Sequence, residues 1–191
     1  MHNADVRDAV RSYAADIVLA LSVHRGVGPA LVWPDTEPSG LLDGLATHAA
    51  ARLAAAPSEL PEPPEPSPAA LVPAGPEAGP LSGFLAEALG CAVTARYGYA
   101  PPGVPGRELP AGGDLLVIPV DRGCDCSVHP PARPGPLRMR LLKGEVLYVP
   151  QDFTMRVSGR HASSPLLVIT FPSPGVPGLR SSGSRIRTPA P

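Results

Sequence analysis

Several features that define whole classes of protein are scarce in this sequence. The formal net charge is −1, so no excess of either sign favours nucleic acid or an acidic membrane surface as a partner. Three cysteines, an odd and low count, argue against a secreted domain built on disulfides. No apolar run approaches the roughly 18 residues of a membrane-spanning helix, and the N-terminus lacks the pattern of a signal peptide. We therefore expect a cytoplasmic protein with reduced thiols that binds neither nucleic acid nor a membrane.

Proline, in contrast, is abundant, at 28 of 191 residues. The densest stretch lies in residues 57–81 and is also rich in glutamate, which is typical of a stiff, solvated linker or insert. Residues 173–191 combine arginine with glycine, serine and proline, and we predict a disordered basic tail there. These two segments leave residues 1–56 as an N-terminal α/β part of the fold and residues 82–172 as its core.

The N-terminal part shows helical spacing. Val10, Tyr13 and Ile17 lie on one face of a predicted first helix, and Ser39 is a candidate N-cap for a second. The apolar run over residues 16–24 fits either a continued helix or a strand, and periodicity leaves both open. A third, short helix should follow Ser82 and end at Gly90.

From Cys91 onward the pattern is that of β structure. Short apolar or alternating segments are separated by turn signals, which predicts a sandwich or a barrel. The predicted strands lie within residues 91–99, 114–120, 124–129, 137–142, 145–150, 154–158 and 165–171.

Three stretches of this β region suggest a family. They read FLAEALGCAVTARYGYAPPGVPG over residues 84–106, LLKGEVLYVPQDF over 141–153 and SSPLLVITF over 163–171. Their content and order resemble the JmjC-like cupins, in the branch that contains the ribosomal protein hydroxylases. The resemblance implies a mainly β fold, a double-stranded β-helix or jelly-roll barrel with a few N-terminal helices. It also implies an Fe(II)- and 2-oxoglutarate-dependent oxygenase, whose iron is held by two histidines and a carboxylate.

The positions that should carry this chemistry depart from the family. The resemblance places the histidine and carboxylate of the H-x-D motif on Leu109 and Ala111, and the distal histidine on Met155. The lysine that anchors 2-oxoglutarate falls on Cys124 or, with one gap, on Asp125. Leu109, Ala111 and Met155 are poor or impossible ligands for Fe(II), and neither Cys124 nor Asp125 is a cation. We therefore expect a degenerate site without a cofactor, in a protein that binds a peptide, a small molecule or a partner enzyme.

Three alternatives stay open. Arg96 could point into the barrel and bind an anion, or point outward into solvent. Cys124, Cys126 and His129 form a C-x-C-x-x-H pattern, although His129 should point away from the two cysteines and a zinc site needs a fourth ligand. An active oxygenase that uses Fe(II) and 2-oxoglutarate through other ligands is the alternative function. A homodimer also remains open.

Overall fold

The computed structural model of the chain describes residues 3–36, 39–55, 71–103, 106–110, 112–131 and 135–173. In these ranges the helices are α1 (Asn3–His24), α2 (Ser39–Ala55) and α3 (Gly79–Leu89). The strands are β1 (Ala30–Val32), β2 (Val72–Pro73), β3 (Thr94–Ala100), β4 (Arg107–Leu109), β5 (Asp114–Pro119), β6 (Cys124–His129), β7 (Leu137–Leu141), β8 (Val146–Val149), β9 (Thr154–Ser158) and β10 (Ser164–Phe171).

The strands form two antiparallel sheets that face each other. The larger sheet has the order β1-β8-β5-β10-β3-β2, and the smaller has the order β4-β9-β6-β7. From β3 onward the chain crosses from one sheet to the other after almost every strand; only β6 and β7 follow each other in the same sheet. This alternation closes the two sheets into a jelly-roll barrel, as the sequence pattern predicted.

The larger sheet is covered on both faces. Leu115 and Val117 of β5 face the interior between the sheets, whereas Leu116 and Ile118 pack against the layer that holds the helices. All six residues of β5 are consequently buried. A strand buried on both faces reads as a continuous apolar run, which explains the sequence pattern of residues 114–120.

The helix α1 continues to His24 and includes the run that could also have been a strand. Ile17 and Leu21, one helical turn apart, are buried. Leu19 and Val23 lie on the opposite side of the helix and are 69% and 64% exposed. The hydroxyl of Tyr13 donates a hydrogen bond of 2.8 Å to the carbonyl of Gly144, which ties α1 to the turn between β7 and β8. Among the described residues, no helix is long and apolar enough to cross a membrane.

Two local predictions differ from the structure. The strand expected from Cys91 begins only at Thr94, because the ladder with β10 starts at the pair Thr94–Thr170. The sequence pattern gave no separate signal for β4. Within the predicted linker, residues 71–81 contain β2, a 3-10 turn and the start of α3, whereas residues 56–70 lie outside the described residues. Residues 174–191 of the predicted tail also lie outside them.

Candidate functional site inside the barrel

Two of the three positions expected to carry iron ligands lie side by side. Leu109 on β4 is paired directly with Met155 on β9. Their side chains point into the space between the sheets and are 2% and 0% exposed. Directly paired residues of antiparallel strands have Cα atoms roughly 4.5–5.5 Å apart, close enough for two side chains to share one ligand. Ala111, the third expected position, lies outside the described residues.

Cys124, the first position expected for a cosubstrate lysine, also faces the interior. Its neighbour Cys126 lies on the same face, and both are buried, at 2% and 3% exposure. The two Sγ atoms are 3.6 Å apart. The hydrogen bond with Cys124, together with burial, raises the pKa of the Cys126 thiol far above its usual value. Asp125, the second candidate position, is exposed on the outer face. Neither Cys124 nor Asp125 thus provides a positive charge that could bind the carboxylate of 2-oxoglutarate.

His129 lies on the outer face of the smaller sheet, away from the two cysteines. Its Nε2 atom is 3.2 Å from the Oγ atom of Ser127, which shares that face. The C-x-C-x-x-H pattern is thus not a converging set of ligands. In the ranges that the structure describes, no three His, Cys, Asp or Glu side chains form a group that could hold a metal ion.

Arg96 lies on β3 beside the edge of the larger sheet, where it is paired with Pro73 of the edge strand β2. On its other side it is paired with Val168, whose side chain is buried in the interior between the sheets. Arg96 is therefore on the inner side of β3, yet its side chain is exposed. At Gly98, the next inner position, a Cβ atom would lie 2.7 Å from the side chain of Leu71. Leu71 covers that position, whereas Arg96 remains in contact with solvent at this rim, the β2–β3 edge of the larger sheet.

Comparisons with known proteins identify the fold. No family model and no curated protein matches the sequence. Among solved structures, a Pseudomonas putida prolyl-4-hydroxylase is similar over 85% of this chain and 95% of that one, with a TM-score of 0.53 and 16% identity. The chain has a cupin-like barrel fold.

Other similar structures cover less of this chain. Hydroxypropylphosphonic acid epoxidase from S. wedmorenis matches 41% of this chain with a TM-score of 0.36 and 10% identity. This match spans 43% of the epoxidase chain. Procruciferin, an 11S globulin from Brassica napus, matches 56% of this chain and 26% of its own, with a TM-score of 0.36 and 13% identity.

A groove outside the barrel carries a polar cluster that the sequence did not indicate. It lies between α1, α2 and α3, has a volume of about 990 Å³, and is lined in part by His48 and Glu77. The Oε1 atom of Glu77 accepts hydrogen bonds from the N–H of Gly75, at 2.9 Å, and from the hydroxyl of Tyr97, at 3.0 Å. Partial burial raises the pKa of Glu77, but these bonds and its own backbone N–H outweigh that effect and lower it. Glu77 lies in the stretch predicted as a linker, so sequence reasoning missed it.

A second unpredicted polar group, Asp114, lies at the start of β5. It is 2% exposed. Its carboxylate accepts hydrogen bonds from the Tyr148 hydroxyl at 3.2 Å, the Gln151 N–H at 3.1 Å and the Ser173 hydroxyl at 2.5 Å. The Nε atom of Arg25 lies 3.6 Å from it. The carboxylate is thus occupied in joining the end of α1 to three barrel segments, which is a structural role.

Proposed function

We propose that this protein is a cupin-like barrel without the iron triad of the JmjC-like oxygenases, and that it acts by binding. Its ligand would be a peptide, a small molecule or a partner enzyme. The observation that carries this proposal is the direct pairing of Leu109 with Met155 in the buried interior. The backbone brings the two strands together as an iron site would require, while the two side chains offer a hydrocarbon and a thioether.

The chemistry of these side chains explains the proposed loss. A ferrous oxygenase site uses two imidazoles and a carboxylate, and it leaves positions open for the cosubstrate and oxygen. Leucine has no donor atom, and the thioether of methionine is a soft ligand. Cys124, whose Sγ atom lies 3.6 Å from that of Cys126, is at the position where the resemblance expects the lysine that holds 2-oxoglutarate, and a thiol offers no positive charge to a carboxylate. Iron and cosubstrate would therefore lose their contacts together.

The rim of the barrel is the proposed binding surface. Leu109, Met155 and Cys124 pack into one apolar core between the sheets. Arg96 remains exposed at the rim, and within the described part of the chain it forms no ion pair or hydrogen bond. A guanidinium group can donate two parallel hydrogen bonds to a carboxylate or phosphate. An anionic group on a peptide or small molecule is therefore the feature that this rim would recognise.

An active Fe(II)- and 2-oxoglutarate-dependent oxygenase is the second candidate. The similarity in fold to a prolyl-4-hydroxylase over most of both chains favours it. It would require metal ligands other than Leu109, Ala111 and Met155.

One measurement separates the two candidates. The purified chain is loaded anaerobically with Fe(II), and bound iron is measured after dialysis, followed by conversion of 2-oxoglutarate to succinate in air. The binding role predicts no stoichiometric iron and no conversion. The triple variant Leu109→His, Ala111→Asp, Met155→His is the matched control, because it restores all three ligand types and should retain iron. Stoichiometric iron with turnover in the unaltered chain would refute the proposed loss.

A further inference from the structure

Four sulfur-containing side chains face the barrel interior from three neighbouring strands. Cys124 and Cys126 lie on β6, at the centre of the group. Met139 on β7 is paired directly with Cys126. Met155 on β9 is paired with Val128, two residues further along the same face of β6. All four contribute to one interior cluster, in which Met139 is the least buried member.

The spacing of the two thiols fits a shared metal ion. Their Sγ atoms are 3.6 Å apart. A metal–thiolate bond is roughly 2.3 Å long, so two thiolates at the corners of a tetrahedron around one ion would be about 3.8 Å apart. The thiols of β6 thus already stand near the separation that coordination would impose.

One methionine, Met139, is placed to complete such a site. It lies directly across from Cys126, at a Cα distance of roughly 4.5–5.5 Å. Met155 is diagonal to Cys126 on the side away from Cys124, so it lies beyond the reach of an ion held between the two thiols. Since Met139 is only partly buried, it also marks the side from which an ion could enter.

We propose that Cys124, Cys126 and Met139 form a site for a soft metal ion, Cu(I). Thiolate and thioether sulfur select Cu(I) over hard cations such as Fe(II) and Mg(II). Cysteine binds a metal ion as its thiolate, so the binding of Cu(I) releases thiol protons to solvent. This proposal goes beyond the binding role above and does not depend on it.

The test is a competition experiment on the full, reduced, metal-free chain under anaerobic conditions. Cu(I) is supplied as its coloured bicinchoninate complex, and the loss of colour measures transfer to the protein. We expect transfer of one equivalent and an ultraviolet absorption band typical of Cu(I)–thiolate bonds. At one urea concentration that partly opens the barrel, Cys124 and Cys126 should be alkylated more slowly in the loaded than in the metal-free protein, while Cys91 reacts at the same rate in both. Peptide mass spectrometry reads out each thiol separately.

Matched variants assign the ligands. The double variant Cys124→Ala, Cys126→Ala should lose Cu(I) binding, and Cys91→Ala should retain it. Met139→Leu keeps side-chain volume but removes the thioether, and it should weaken binding about tenfold, as for loss of a contributing ligand. Met155→Leu is the matched control and should leave binding unchanged. If the double alanine variant does not fold, as judged by circular dichroism, the leucine variants and the alkylation pattern decide.

Three outcomes would overturn the proposal. They are Cu(I) binding unchanged in a folded double alanine variant, alkylation rates of Cys124 and Cys126 that are the same with and without copper, and tighter retention of Zn(II) than of Cu(I) against matched chelators. Failure here leaves the iron and 2-oxoglutarate measurement unaffected, so the two proposals are judged separately.

Discussion

Replacing both Leu109 and Met155 with histidine should create a stability that depends on added metal. The two side chains are directly paired and buried, so two imidazoles there would face each other inside the barrel. Imidazole is a good ligand for Zn(II), and two on adjacent strands can bind one ion. A single histidine at either position would lack its partner. The prediction therefore concerns the pair and follows from the register of β4 and β9.

The expected magnitude follows from burial and mass action. Without metal, each single replacement gives up the burial of a large apolar side chain, worth roughly 1.5–3 kcal/mol, and buries an imidazole that lacks a hydrogen-bond partner. We expect each to lower the free energy of unfolding by about 3 kcal/mol. Zn(II) at about 100 times its dissociation constant would return about 2.7 kcal/mol to the double variant. For a chain of this size that corresponds to roughly 5–10 °C in melting temperature.

Urea unfolding with and without Zn(II), followed by circular dichroism, measures the effect. The variant Leu109→Gln, Met155→Gln is the control, because it is polar and similarly sized but does not coordinate zinc. The unaltered chain, titrated in parallel, gives the shift that its own sulfur ligands produce. If the double histidine variant gains no more stability from zinc than either single variant, Leu109 and Met155 do not face each other, and the assignment of the iron positions fails.

Three further predictions concern the polar groups outside that site. Asp114→Ala leaves three hydrogen-bond donors without an acceptor and should lower the free energy of unfolding by about 3 kcal/mol, whereas the exposed control Asp121→Ala should change it by about 0.5 kcal/mol or less, both measured in urea. The pKa of Glu77 is lowered in the folded protein, so its charge stabilises the fold above the pKa of the unfolded chain, and this stabilisation is lost as pH falls through the folded pKa. Glu77→Gln should therefore remove part of the loss of unfolding free energy that acid causes. An unchanged dependence of that free energy on acid pH would contradict this. Burial raises the pKa of Tyr148 to about 12. The neutral hydroxyl therefore stabilises the fold fully below the unfolded pKa near 10, and this stabilisation declines as pH rises toward 12. Tyr148→Phe should flatten the alkaline decline of the unfolding free energy, and an identical decline in both proteins would refute this.

The strands of the larger sheet could be predicted from sequence because their burial is recorded in local pattern. Residues 115–120 form an unbroken apolar run, and β5 is indeed buried on both faces. The strand β4 gave no such signal, because it has three residues and only Leu109 of them is buried. Its place in the sheet depends on pairing with β9, which no local pattern encodes.

The candidate site was predictable only in part, for the same reason. The resemblance selected Leu109 and Met155 through motif spacing, and the barrel pairs them. Met139 and Asp114 could not be predicted as site residues, because each depends on contacts with residues that are distant in the sequence. Met139 reads as one member of an alternating strand until its pairing with Cys126 is known. Asp114 reads as the polar first residue of an apolar strand until Arg25 and Ser173 are found beside it.

The positions of β1 and β10 have a consequence for synthesis on the ribosome. β1 pairs with β8, so the hydrogen bonds of β1 around Ala30 can form only after Tyr148 has been synthesised. At a synthesis rate of about 5–20 residues per second, that delay is roughly 5–25 s. During this time the apolar face of α1 has no sheet to cover. The larger sheet is then completed by β10, which is inserted between β5 and β3.

Nascent chains stalled before β10 should be cleaved rapidly by added protease, and chains stalled with β10 clear of the ribosome should resist it. For this barrel, folding becomes a late event, and a chaperone that shields α1 during translation would have its greatest effect before β10 emerges.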